Sequence, residues 1–134
     1  MANALYNKAK TGLMNEEIKM LVDVVGVYLV TASYALALTT DDYLDDVPSQ
    51  HIVARGTLAN VAVASTGVVD ADDSLLTLVT GSIVTKIILA IDTGNIATSP
   101  LLAALDTATG LPLTPNGGNV TIQWDSGASK IFAL

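Results

Sequence analysis

The chain has no cysteine, which excludes disulfide bonds, thiolate catalysis and cysteine-ligated zinc and leaves the redox compartment open. It has one histidine, His51, so neither a two-histidine metal pair nor a specific Ser-His-Asp set can be assembled. Basic residues are few and scattered: Lys8, Lys10, Lys19, Arg55, Lys86 and Lys130 stand against thirteen acids, for a formal net charge of −7. Phosphate contacts need clustered Lys and Arg, so no nucleic-acid partner is expected. Aromatic residues make up only 4%, with one Trp and one Phe, and Trp124 alone is a poor platform for stacking on a sugar. The apolar run from Ile18 to Leu38 contains Lys19 and Asp23, costly in a bilayer, so no membrane partner is expected. The opening Met1 to Lys8 lacks a basic region followed by an apolar core, so a secretory signal is not expected either.

What is present is aliphatic. Hydrophobic residues make up 51% and charged residues 14%, and the polar remainder leans on Thr, Ser, Asn and Gly. The 134 residues suit a single β domain spanning 1–134, with one core. So little charge leaves much neutral surface, which suits a protein that buries faces against neighbours; a homo-oligomer or a larger assembly is expected.

Residues 1–19 hold half of the bases. Lys8 and Lys10 flank Ala9, and Gly12 is expected to break any helix started there. The segment reads either as a surface strand or frayed terminus, or as an extended N-terminal arm whose Lys8 and Lys10 contact a neighbouring subunit. Val24 to Val30 is a nearly continuous apolar run, as in a strand covered on both faces. A second run, Tyr34 to Leu38, follows. Thr40 to Asp46 reads as a short helical turn, with Thr40 as N-cap, Asp41 and Asp42 at its start, and Pro48 ending it. Strands are expected at His51–Ala54 and, after a break at Arg55-Gly56, at Thr57–Ser65, then at Leu75–Val79, Ile83–Ile91 and Leu101–Asp106. This spacing, with turn residues between, predicts an all-β fold, a single-domain antiparallel β-sandwich or barrel.

The clearest strand pattern is C-terminal. Val120, Ile122 and Trp124 alternate with Thr121, Gln123 and Asp125, the period of a half-buried strand. Asp125-Ser126-Gly127-Ala128-Ser129 reads as a turn and Lys130–Leu134 as the returning strand of a hairpin, with Trp124 facing the core.

Chemistry-bearing patterns are weak. Asp41, Asp42, Asp45 and Asp46 could supply oxygen ligands to calcium, as could Asp70, Asp72 and Asp73, but neither spacing matches an EF-hand. Capping and turn formation account for both clusters, so no metal and no cofactor are expected. No Ser lies in G-x-S-x-G, and Asn116-Gly117-Gly118 lacks the Lys of a phosphate loop. No catalytic residue is assigned, and an enzyme is not expected.

Four stretches, in order, span nearly the whole chain: Met1-Ala2-Asn3-Ala4-Leu5-Tyr6-Asn7-Lys8; Asp70-Ala71-Asp72-Asp73; Asp92-Thr93-Gly94 with Leu101 to Asp106; and GLPLTPNGGNVTIQWDSGASKIFAL from Gly110 to Leu134. Together they resemble a family of small virion structural proteins encoded by tailed bacteriophages and prophages. The resemblance implies a β-rich, non-enzymatic particle component located in the virion, with the major capsid protein or other virion proteins as partners. Its leading form would be a head decoration (cement) protein. A tail, collar or fibre-attachment component is the alternative, and a host-surface carbohydrate-binding adhesin a more distant one. The resemblance carries no functional residues with it.

Overall fold

The core is built on three strands whose sequences are almost wholly aliphatic: β2 (Val25–Thr31), β7 (Val84–Ile91) and β8 (Leu101–Leu105). The computed structural model describes residues 4–65, 67–106, 110–124 and 131–133. In it these strands lie side by side in an antiparallel sheet ordered β1-β8-β7-β2-β3, with β1 at Ala4–Leu5 and β3 at Ile52–Thr57 forming the edges.

Because neighbouring side chains on a strand point to opposite faces, a run without polar alternation needs cover on both. On one face Val25, Val27, Leu29, Ile87, Leu89, Ile91 and Leu105 pack together. Their cover includes Ala9, Ile18 and Met20 from the N-terminal region, and Val69, Leu76, Ile122 and Ile131 from two small sheets. Those sheets are ordered β10-β5-β4 and β6-β9, from β4 (Ala62–Val63), β5 (Val68–Asp70), β6 (Ser74–Leu76), β9 (Val120–Ile122) and β10 (Phe132–Ala133). On the other face Tyr28, Val30, Ile88, Ala90, Leu101 and Ala104 are covered by Tyr6, Tyr34, Leu44 and Val47. The fold is mainly β and antiparallel, and no sheet closes, which sets aside the barrel alternative in favour of the layered one.

Local sequence rules failed in four places, one of them Arg55-Gly56, where β3 runs on through the expected break. Asn7–Met14 forms the α-helix α1, which lies against β8, so Lys8 and Lys10 sit on a docked helix and not on an extended arm. Gly12 does not break α1. A Cβ there would lie 2.8 Å from Ile18 Cδ1, so glycine opens the space in which Ile18 seats on the helix, and that burial outweighs poor helix propensity.

The expected turn at Thr40–Asp46 is a 3₁₀ turn at Leu44–Asp46 with Tyr43 as its N-cap, and Thr40 plays no capping part; a second 3₁₀ turn follows at Ser49–His51. Finally, β9 does not form a hairpin with the last strand. Val120 to Ile122 pair with β6 (Ser74↔Ile122, Leu76↔Val120), whereas Phe132 and Ala133 pair with β5 (Phe132↔Val69). The two C-terminal strands take the two edges that β5 and β6 offer on either side of Ala71-Asp72-Asp73. The expected turn at Asp125–Ser129 and Lys130 lie outside the described residues. Trp124 is half-buried against the core, and its backbone N–H donates to Asp73 Oδ1 at 3.1 Å.

Candidate functional site

The acidic clusters are engaged by the chain itself. Asp41 Oδ2 accepts from the Tyr34 hydroxyl at 2.6 Å and from the Ala37 N–H at 3.2 Å. Asp46 Oδ2 accepts from the N–H groups of Asp42 and Tyr43, which holds its carboxyl below the ordinary range. Asp42 goes the other way, raised by desolvation and then by the neighbouring Asp46. Asp72 accepts from the Asn60 side-chain amide, and Asp73 from Trp124. Among the described residues no three of His, Cys, Asp and Glu are grouped to hold a metal ion. Chelator is therefore expected to leave the melting temperature unchanged in differential scanning fluorimetry. A drop of several degrees reversed by calcium would overturn that expectation.

Lys8 forms an ion pair with Glu17 at 2.9 Å and lies 4.9 Å from the centroid of the Tyr43 ring. The hydrogen bond to Glu17, then the one to Tyr43, raises its pKa. Lys10 is exposed on the same helix. His51 is half-exposed at the end of its 3₁₀ turn.

The structure brings together a set of residues that sequence reasoning missed. A cleft of about 220 Å³ opens at the rim of the central sheet, walled by Tyr28, Arg55, Thr57, Asp92, Asn95 and Ser99. Tyr28 and Arg55 face each other across the β2–β3 ladder, and the guanidinium lies 5.7 Å from the ring centroid. The opposite wall is the loop after β7, fixed by its own bonds. Asp92 Oδ1 accepts from Gly94 N–H, Asn95 Oδ1 from Ala97 N–H, and the buried Ser99 hydroxyl donates to Asn95 O at 2.8 Å. Arg55 and Asp92 share this cleft without an ion pair between them. Among the described residues that line it, no nucleophile is hydrogen-bonded to a general base.

A second feature is apolar. Met14 (87% exposed), Leu21 (69%), Val22 (78%) and Val24 lie exposed at the end of α1 and in the connection to β2. Residues 1–24 hold three bases (Lys8, Lys10, Lys19) and three acids (Glu16, Glu17, Asp23), whereas the remainder of the chain carries the whole net negative charge.

No protein-family model and no curated protein matches this chain. Among the described residues no helix is long and apolar enough to cross a membrane.

Proposed function

We propose that this protein is a non-enzymatic bacteriophage virion structural protein, made in the host cytoplasm and assembled as a head decoration (cement) protein on the outside of the capsid shell. Its partners are the major capsid protein and, as a homo-oligomer, further copies of itself. The observation that carries the reading is the exposed apolar group Met14, Leu21, Val22 and Val24 on a chain with only 14% charged residues. Large apolar side chains left exposed close together in sequence suggest a surface meant to be covered. The resemblance of the stretches at Met1–Lys8, Asp70–Asp73, Asp92–Gly94 with Leu101–Asp106, and Gly110–Leu134 to virion proteins suggests the setting.

The mechanism is additive. Each copy touches neighbouring capsid subunits with modest energy, and simultaneous contacts turn weak sites into firm attachment that exists only on the assembled lattice. The net charge of −7 suits the outer face, where packaged DNA does not repel it. The test is co-sedimentation of purified protein with emptied, mature heads and, separately, with free capsid protein. Saturable binding to heads but not to free subunits is expected, weakened by the double change Leu21→Asp and Val22→Asp with no loss of melting temperature. Failure to bind heads, with co-purification on tails, would assign the protein to the tail instead.

A further inference from the structure

Among the described residues β3 pairs with β2 alone, so its other edge carries no strand, and its hydrogen-bonding phase can be read from one contact. Leu58 N–H donates to Val25 O at 2.9 Å, in register with the β2–β3 ladder. In an antiparallel pair, bonded and non-bonded residue pairs alternate. The ladder bonds therefore fall at Leu58–Val25, Gly56–Val27 and Ala54–Leu29, and the N–H and C=O of Arg55 and Thr57 point away from β2. The other side of β2 agrees. Asp92 N–H donates to Val24 O, so β2 turns its even-numbered residues to β7 and its odd-numbered residues to β3. None of the four outward groups on Arg55 and Thr57 has a protein partner among the described residues, and both residues are exposed.

Natural sheets protect such edges with prolines, bulges or covering loops, because two free donors and two free acceptors in register template another strand. Residues 52–57 contain no proline, and the bulge in the β2–β3 ladder lies at Val30, beyond Arg55 and Thr57. The side chains of Arg55 and Thr57, two residues apart, lie on the same face and form the wall of the cleft beside this edge. Among the described residues Arg55 makes no ion pair, and its guanidinium lies over the Tyr28 ring.

We propose that β3 is a strand-addition site. An extended segment of a capsid subunit pairs with the outward groups of Arg55 and Thr57, and places an Asp or Glu side chain against the Arg55 guanidinium at the mouth of the cleft. Strand addition draws affinity from main-chain bonds and specificity from side-chain pockets, and both are built here. The unpaired guanidinium selects a carboxylate, which it holds in a bidentate fork. A second copy is the poorer occupant: pairing through the same four groups would set Arg55 opposite Thr57, which offers the guanidinium no carboxylate. This inference rests on the decoration reading and adds to it the second contact that bridging two subunits requires.

The test uses Thr57→Pro and Arg55→Glu in the head co-sedimentation assay. Proline at position 57 removes only an outward N–H, so the β2–β3 ladder and the melting temperature are expected to stay. Both variants should lose binding to heads by about tenfold or more. Wild type binding heads while both variants bind equally well would overturn the edge site and leave the decoration role standing. Wild type failing to bind heads would overturn the decoration role itself, and with it the partner assigned to the edge. Loss in Thr57→Pro alone would keep the added strand and overturn the acidic side chain. Dimeric wild type with monomeric Thr57→Pro, in analytical ultracentrifugation, would make a second copy the occupant and overturn the capsid segment. Should Thr57→Pro melt early, Arg55→Glu decides, because its side chain is exposed and its backbone is unchanged.

Discussion

Ile88→Ala and Leu89→Ala are each expected to lower stability by about 2–5 kcal/mol in urea denaturation, the range for truncating a buried aliphatic side chain. These residues are adjacent on the central strand of the central sheet, and both are fully buried. They point in opposite directions. Leu89 enters the layer shared with Ala9, Ile18 and the small sheets, and Ile88 enters the layer under Tyr6, Tyr34, Leu44 and Val47. On a sheet with one wet face, one of the two changes would be nearly free. Two large and similar costs are the signature of a sheet covered on both faces. A cost below about 1 kcal/mol at Ile88 would mean that the 32–51 segment does not pack as described.

That both-face burial was the most legible property of the sequence. Val25 to Val30 and Leu101 to Leu105 have no polar alternation, and strands of this kind must lie between two layers. Ile83 to Ile91 was harder, because Ile83, Thr85 and Ile87 suggest one face, yet Ile83 is 53% exposed and the strand begins at Val84. An irregularity in the β2–β7 register between Val30 and Thr31 separates that end from the regular ladder, and a periodicity argument cannot see it. Partner choice was invisible for a different reason. Val120 to Ile122 reads correctly as a half-buried strand, but nothing within it names β6 rather than the next strand as its mate. The helix α1 was hidden behind Gly12, whose value lies in contact with Ile18, six residues on.

The candidate site was less legible than the fold. The Asp92–Asn95 loop forms locally, with Gly94 N–H donating to Asp92 Oδ1, but the cleft needs Tyr28 and Arg55 brought in from strands more than thirty residues away. Arg55-Gly56 reads locally as a break between strands, because a lone charge beside a glycine is ordinary loop chemistry. The strand instead runs through both residues: Gly56 gives room to Leu76, whose Cδ2 would lie 2.5 Å from an added Cβ, and Arg55 keeps its charge in solvent. Being at an edge is a property of the whole sheet, so no window of sequence around residue 55 contains it.

The second large effect expected is alkaline unfolding, carried by tyrosines that this aromatic-poor chain buries. The Tyr34 hydroxyl gives its one proton to Asp41 Oδ2, so the Tyr6 hydroxyl, 2.8 Å away, must donate to the Tyr34 oxygen. This relay ties the residue before α1 to the loop that covers the sheet. Burial raises the phenol pKa of Tyr6, Tyr34 and Tyr28, and for Tyr34 the bond to Asp41 adds to it. The sign follows. A phenol raised in the folded chain binds its proton more tightly there than in the unfolded chain, where it ionises near about 10. Its contribution is complete below that pH and drains away as pH climbs toward the folded value. A strongly raised tyrosine costs about 1.4 kcal/mol per pH unit in that window, so Tyr6 and Tyr34 together cost about 3 kcal/mol per unit. Lys8, raised by Glu17, loses its pairing in the same direction. The melting temperature is expected to be level from neutral pH to the onset of phenol ionisation and then to collapse, with phenolate absorbance rising together with loss of the sheet's circular dichroism. Tyr34→Phe should flatten that collapse by roughly half, since one of the two strongly raised groups is gone. At neutral pH the same change should cost about 1–3 kcal/mol, because the buried Tyr6 hydroxyl then lacks its acceptor. Phenolate absorbance rising fully at ordinary alkaline pH while the circular dichroism holds would place these hydroxyls in water and undo the relay.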